Sequence, residues 1–128
     1  MMNKSDYLRN ALLNHTLRGV TFTPPGNRYI ALFTVAPTSA GGGTEVTGGS
    51  YVRKAVAFTV PTSGNTSNTL AINFDTPTAD WGDVVAAALF DALSAGNMLY
   101  FGTLGTPRTV YAGDAIRFPV GFFSITET

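Results

Sequence analysis

Few side chains in this sequence have the chemistry that catalysis or metal binding requires. His15 is the one histidine, and no motif supplies the partners that a catalytic triad or a facial metal site needs. Cysteine is absent, so thiolate zinc sites, disulfides and a cysteine nucleophile are excluded. No serine lies in a nucleophile-elbow motif. The pattern around His15 instead predicts a helix residue at a packing boundary.

Aspartates are the other residues that can act in pairs, and five of the six follow the predicted helix: Asp75, Asp80, Asp83, Asp91 and Asp114. Two carboxylates held about 5–10 Å apart in a cleft support glycoside hydrolysis. Carboxylates also bind Ca²⁺, but this spacing matches no EF-hand loop. The simpler interpretation is that Asp75 and Asp80 make turn hydrogen bonds around Pro77 and Trp81. We therefore predict no catalytic residue, no metal site, no cofactor and no enzymatic activity.

Charge excludes a further class of function. Eight basic and eight acidic residues give 128 residues a formal net charge of zero. Nucleic-acid binding loses its main driving force in a neutral chain, so we expect no nucleic-acid partner. A neutral surface also removes a barrier to self-association. The polar N-terminus does not resemble a signal peptide, and no stretch is long and apolar enough to insert in a membrane.

The elements that would position these residues are mainly β. Ser5 as a cap, apolar residues at three- and four-residue spacing and Gly19 as a stop predict one short helix over residues 5–18. Strand patterns follow at residues 28–35, 51–60, 70–75, 84–91, 98–104, 109–111, 116–118 and 122–126, separated by Gly- and Pro-rich turns. In the strand over 51–60, Val52, Val56, Phe58 and Val60 are expected on one face, with Lys54 as a misfit.

This order predicts a single domain over residues 1–128. It is mainly β: an antiparallel, jelly-roll-like β-sandwich of about seven or eight strands over residues 28–127, with one short N-terminal α-helix. The glycine-rich loop over 41–50 lacks the sequence of a phosphate-binding loop, so its expected role is conformational.

Three aromatic residues are candidates for contact with a partner or a glycan: Trp81, Tyr51 and Tyr100. Trp81 has two interpretations, as a lid over one end of the sandwich or as an exposed contact. In a carbohydrate-binding module, the three rings would offer stacking faces to a host surface glycan.

Several short segments are specific as a set, through their order and spacing along the chain. They are YIALFT (29–34), GGGTEVTGGSYVR (41–53), AINF (71–74), ADWG (79–82), FDA (90–92), GNMLY (96–100), VYAGD (110–114) and IRF (116–118). Together they resemble a family of small tailed-bacteriophage proteins described as tail fibre or minor structural proteins of the virion. The resemblance covers nearly the whole chain. The run VVAAAL (84–89) is more apolar than the family pattern, which suggests that a neighbour covers this strand.

The resemblance implies a virion structural protein, made in the host cytoplasm, that acts through self-assembly and docking to other virion proteins of the tail, neck or capsid. A tail fibre or tail-tip component is the first expectation, and a capsid decoration or neck and collar protein is the alternative. A homo-oligomer in the particle is expected. The family implies no catalytic residues.

Overall fold

Antiparallel β-strands dominate the structure, a computed structural model that describes residues 2–127. In chain order the elements are β1 (Asn3–Lys4), α1 (Asp6–Arg18), β2 (Tyr29–Val35), β3 (Thr44–Glu45), β4 (Lys54–Ala55), β5 (Asn65–Ser67), β6 (Ile72–Asn73), β7 (Gly82–Phe90), β8 (Met98–Val110), β9 (Arg117–Phe118) and β10 (Ser124–Thr126). The prediction of a mainly β, antiparallel fold with one short helix is confirmed.

The helix α1 begins and ends where its capping residues predict. Ser5 Oγ accepts a hydrogen bond from the Leu8 N–H at 3.2 Å, and Gly19 closes the last turn in the left-handed conformation. Ser5 also anchors the helix to β8, since its hydroxyl donates to the Met98 carbonyl at 2.5 Å and its N–H donates to the Leu99 carbonyl at 2.9 Å. Within residues 2–127, no helix has the length and apolar composition needed to cross a membrane.

Six strands form the large sheet, in the order β1-β8-β7-β2-β3, with β4 also pairing with β2. Two small sheets, β5 with β10 and β6 with β9, contribute to the same core. Ile30, Leu32 and Leu89 of the large sheet belong to one buried cluster with Phe118 and Ile125 of the small sheets. Side chains from opposing sheets thus form a shared core, as in a sandwich.

The alanine-rich strand β7 is covered on its second face by the chain itself. Ala86 and Ala88 are fully buried beside Ala31, in a cluster against which Phe90 and Phe101 pack. Because β7 pairs with β2 and β8 and is buried on both faces, it has an unbroken apolar sequence. The cover expected from a neighbour is supplied for Ala86 and Ala88 by other residues of the same chain.

The prediction of a long strand over residues 51–60 was largely wrong. Only Lys54–Ala55 forms a strand there, and Val52 and Val60 are 42% and 87% exposed. Arg53 is buried instead, at 6% exposure. Arg53 is buried in place of Val52 because its guanidinium has carboxylate and carbonyl partners inside the protein.

The predicted turn at residues 105–107 is an irregularity within one strand. Val84 pairs with Arg108 and Ala86 pairs with Thr103, so β8 accommodates extra residues between these partners. Pairing with β7 on both sides of the irregularity keeps β8 continuous from Met98 to Val110. Three short strands, β1, β3 and β5, were not predicted, because two or three residues carry no periodic signal.

An aromatic cluster fills one part of the core. The Trp81 ring meets those of Tyr51 and Phe74 edge-on, with centroids 5.4 and 6.3 Å apart. Its Nε1 donates a hydrogen bond to the Gly49 carbonyl at 3.0 Å. Gly49 has a positive φ of 56°, and a Cβ there would lie 2.8 Å from Trp81 Nε1. This contact requires glycine at position 49.

Gly49→Ala should therefore destabilise the protein more than Gly48→Ala. Gly48 also has a positive φ, but a Cβ there meets nothing within 4 Å. The control should cost about 1 kcal/mol for the left-handed backbone, and Gly49→Ala an additional ~1–3 kcal/mol for overpacking against the indole. Urea unfolding followed by the fluorescence of the single tryptophan measures both. Equal losses would contradict the packing argument.

Candidate functional site

The structure brings Trp81 and Tyr51 together but places Tyr100 elsewhere. Trp81 is only 6% exposed and lies in the core, as its interpretation as a lid requires. Tyr51 is half-buried beside it. Tyr100 is half-buried on β8, where its hydroxyl donates to Glu127 Oε1 at 2.7 Å. Contact of these residues with a partner or a glycan stays a prediction, and it has to be made through the edges that Tyr51 and Tyr100 expose.

Three side chains form a polar network around the buried Arg53, here called the Arg53 network: Glu45, Tyr51 and Arg53, of which Glu45 and Tyr51 are half-buried. Arg53 binds Glu45 through two parallel hydrogen bonds, Nε to Oε2 and Nη2 to Oε1, each 2.8 Å long. Tyr51 donates to Glu45 Oε2 at 2.6 Å and accepts the Leu32 N–H at 3.0 Å. Paired, charge-assisted hydrogen bonds of this kind make the guanidinium tolerable in the interior.

The guanidinium of Arg53 also holds a distant loop. Nη1 donates to the carbonyls of Ala92 and Ala95, both at 2.9 Å, and the guanidinium lies 3.9 Å from the centre of the Phe90 ring. The loop between β7 and β8 is thereby tied to the segment that follows β3. Sequence reasoning missed this role of Glu45 and Arg53; the available signal was an isolated acidic residue inside the glycine-rich loop.

The network shifts the protonation of its members. Burial raises the pKa of Glu45, but the hydrogen bonds from Arg53 and Tyr51 outweigh burial and hold that pKa below the ordinary 4.5. Burial, together with the hydrogen bond to Glu45, raises the pKa of the Tyr51 hydroxyl. Glu45 is therefore ionised and Tyr51 protonated near neutral pH, as their hydrogen bonds require.

The aspartates considered for chemistry are engaged within the fold. Asp83 accepts from Thr109 Oγ1 at 2.6 Å, and Asp91 accepts from the Asn97 N–H at 2.7 Å. Asp114 accepts from the Tyr111 N–H at 2.8 Å in a tight turn. Among residues 2–127, no group of three histidine, aspartate or glutamate side chains is arranged to hold a metal ion.

Asp75 and Asp80 make longer-range contacts than the predicted local turn bonds. Asp80 Oδ1 accepts from the Ala112 N–H at 2.9 Å, which joins two loops. Asp75 pairs with Lys54 Nζ at 2.8 Å. His15 accepts from the Phe22 N–H through Nδ1 at 3.3 Å, so it fixes the chain beyond the helix end. These contacts give each side chain a structural role.

Two depressions differ in what they offer to a partner. A cleft of about 460 Å³ lies between the start of α1, residues 39–43 and residues 96–98, and its charged side chains are engaged: Asp6 by Arg9 and Glu45 by Arg53. A second depression of about 350 Å³, here called the α1 groove, is largely apolar. Its lining is Leu8, Leu12, Phe22, Pro25, Arg28, Phe58, Pro61, Gly64, Asn65, Thr66, Leu89, Leu99, Tyr100, Ile125 and Glu127.

Breaking the Arg53 network should destabilise the protein strongly. Glu45→Gln removes the countercharge of a guanidinium that is 5% exposed, so the free energy of unfolding should fall by about 3 kcal/mol at pH 7. The folded-state pKa of Glu45 is lowered, so the stabilisation is present above pH 4.5 and is lost as the pH falls through the folded-state value. The difference between wild type and variant should therefore shrink in acid.

The pair formed by Lys54 and Asp75 provides a matched control. Its side chains are 28% and 54% exposed, so Asp75→Asn should change the free energy of unfolding by less than about 1 kcal/mol. Urea unfolding at pH 7 and at acid pH measures both variants. An equal loss in the two variants, or a Glu45→Gln effect that persists in strong acid, would contradict the assigned role.

Comparison with models of known protein families identifies the family of this chain. A family model described as Podophage GP4 fiber I protein gp80 matches residues 3–126. The matched range runs from the first residue of β1 to the last residue of β10. No curated protein matches the chain. The expected resemblance to phage tail fibre proteins is confirmed, and the chain belongs to this family of podophage fibre proteins.

Proposed function

We propose that this chain is a tail fibre subunit that assembles with copies of itself through α1 and docks on other virion proteins. Membership in the fibre family already gives it a structural role in the phage tail fibre and a place in the virion. The observation that carries the finer proposal is an apolar stripe left exposed on α1.

The stripe consists of Leu13 and Leu17 of α1, which are 55% and 78% exposed, and of Val20, which follows the helix end at Gly19 and is 47% exposed. Leu13 and Leu17 are four residues apart, which places both side chains on one face of the helix. The opposite side of α1 is already occupied, because Leu8 is buried in the core and Leu12 packs against it. The α1 stripe therefore has no partner among residues 2–127.

A second copy is the occupant that best fits the α1 stripe. The stripe contains no charged residue, and the chain as a whole has no net charge, so two copies meet without electrostatic repulsion. Identical apolar stripes related by a rotation axis present the same surface to one another. Each copy that joins removes exposed leucine from water, which favours association.

The double variant Leu13→Gln/Leu17→Gln should shift the protein from oligomer to monomer. Glutamine keeps the helix propensity and removes only the apolar side chains, so the fold should persist. Light scattering over a range of concentrations measures the mass. The matched control is Leu70→Gln/Val120→Gln, which removes two residues that are 74% and 62% exposed outside the stripe, and its mass should equal that of wild type.

Three outcomes would contradict the proposal. A monomeric wild-type protein, or a stripe variant with the same mass as wild type, would remove α1 as the assembly surface. Electron cryomicroscopy of intact particles tests the position in the virion. Density for this chain on the head shell or at the neck, rather than in a tail fibre, would favour the decoration or collar alternative.

A further inference from the structure

The α1 groove combines apolar walls with a single unmatched charge. Leu8 and Leu12 of α1 form one wall, and Leu99 and Ile125 are buried at its base. Its volume of about 350 Å³ lies in the range of sites that hold small ligands. Such sites are mostly apolar and fix their ligands through a few polar groups.

The polar side chains that line the groove are engaged, with one exception. Glu127 pairs with Lys4 and accepts from Tyr100, and Asn65 Oδ1 accepts from Thr126. Arg28 is half-buried in the lining. Among residues 2–127, its guanidinium has neither an ion-pair partner nor a hydrogen-bond acceptor.

An unmatched guanidinium beside an apolar surface selects for a particular chemistry. Arginine binds carboxylates through parallel hydrogen bonds, and partial burial strengthens that attraction. Glu127, the other charged residue of the lining, is paired with Lys4, so Arg28 is the one charged group of the lining without a counterion among residues 2–127. A ligand with an apolar body and one carboxylate matches both features.

We propose that the α1 groove binds a free aliphatic carboxylate, with the carboxylate on Arg28 and the hydrocarbon chain between Leu12 and Leu99. The volume of the groove, about 350 Å³, suits a small molecule. The site lies on the side of α1 opposite the assembly stripe. It does not depend on the proposed assembly.

Sodium decanoate is the probe for this site, titrated by isothermal calorimetry and by NMR chemical shifts. Wild type should bind one equivalent, with shifts at Leu12, Leu99 and Ile125. Arg28→Gln should weaken binding roughly tenfold or more through loss of the charged hydrogen bonds, and Arg28→Lys should restore part of it. Decanol, which has the same tail without the charge, should bind weakly and equally to wild type and Arg28→Gln.

Two controls keep the result interpretable. Arg18→Gln removes a guanidinium on the exposed side of α1, where it bonds to Asn14, and should leave decanoate binding unchanged. Thermal unfolding of Arg28→Gln should match wild type, since the side chain has no partner among residues 2–127. Equal affinity in Arg28→Gln and wild type, no saturable binding, or loss of binding in the Leu13→Gln/Leu17→Gln variant would overturn the assignment.

Discussion

The buried guanidinium of Arg53 is the constraint on which much of the remaining structure depends. A charge in the interior is tolerated only when a countercharge and hydrogen-bond acceptors surround it. Here the acceptors come from two separate segments: Glu45 from the glycine-rich loop, and the carbonyls of Ala92 and Ala95 from the loop after β7. Tyr51 extends the network to the backbone of β2. Satisfying one side chain thus ties these loops to one another.

The same guanidinium completes the cover over the second face of the large sheet. It lies over the Phe90 ring, which stacks with Phe33 at a centroid separation of 6.2 Å. Ala31 and Ala88 are direct partners across β2 and β7 and are fully buried beneath this layer. Small residues in the strands leave room for the rings, so the central parts of β2 and β7 are buried on both faces without a third layer of strands. This arrangement explains why β7 has the apolar composition of a central strand.

Local signals were sufficient where the structure is decided locally. The capping residues and spacing of α1, and the apolar runs of β2 and β7, gave the right elements with bounds close to those observed. The sequence pattern gave wrong predictions of burial where contacts between distant segments decide which side chain is buried. Alternation predicted that Val52 is buried and Arg53 is not, and the network reverses both. Of the candidate contact residues, the burial of Trp81 depends on Gly49, which lies 32 positions away in the chain, so no local pattern distinguishes the lid from the exposed contact.

The helix α1 links the two surfaces for which a partner is proposed. Two hydrogen bonds from Ser5 hold the start of the helix to β8. This anchor opposes a rotation of the helix about its axis that would bury Leu13 and Leu17 in the core of the protein. The inner leucines line a groove that contains Arg28, whereas the outer leucines form a stripe without charge. In the two proposals, charge separates the specificities: an identical apolar surface is proposed for the stripe, and an anion with an apolar body for the groove. The α1 stripe and the α1 groove both depend on the anchored position of this helix, but they have no residue in common.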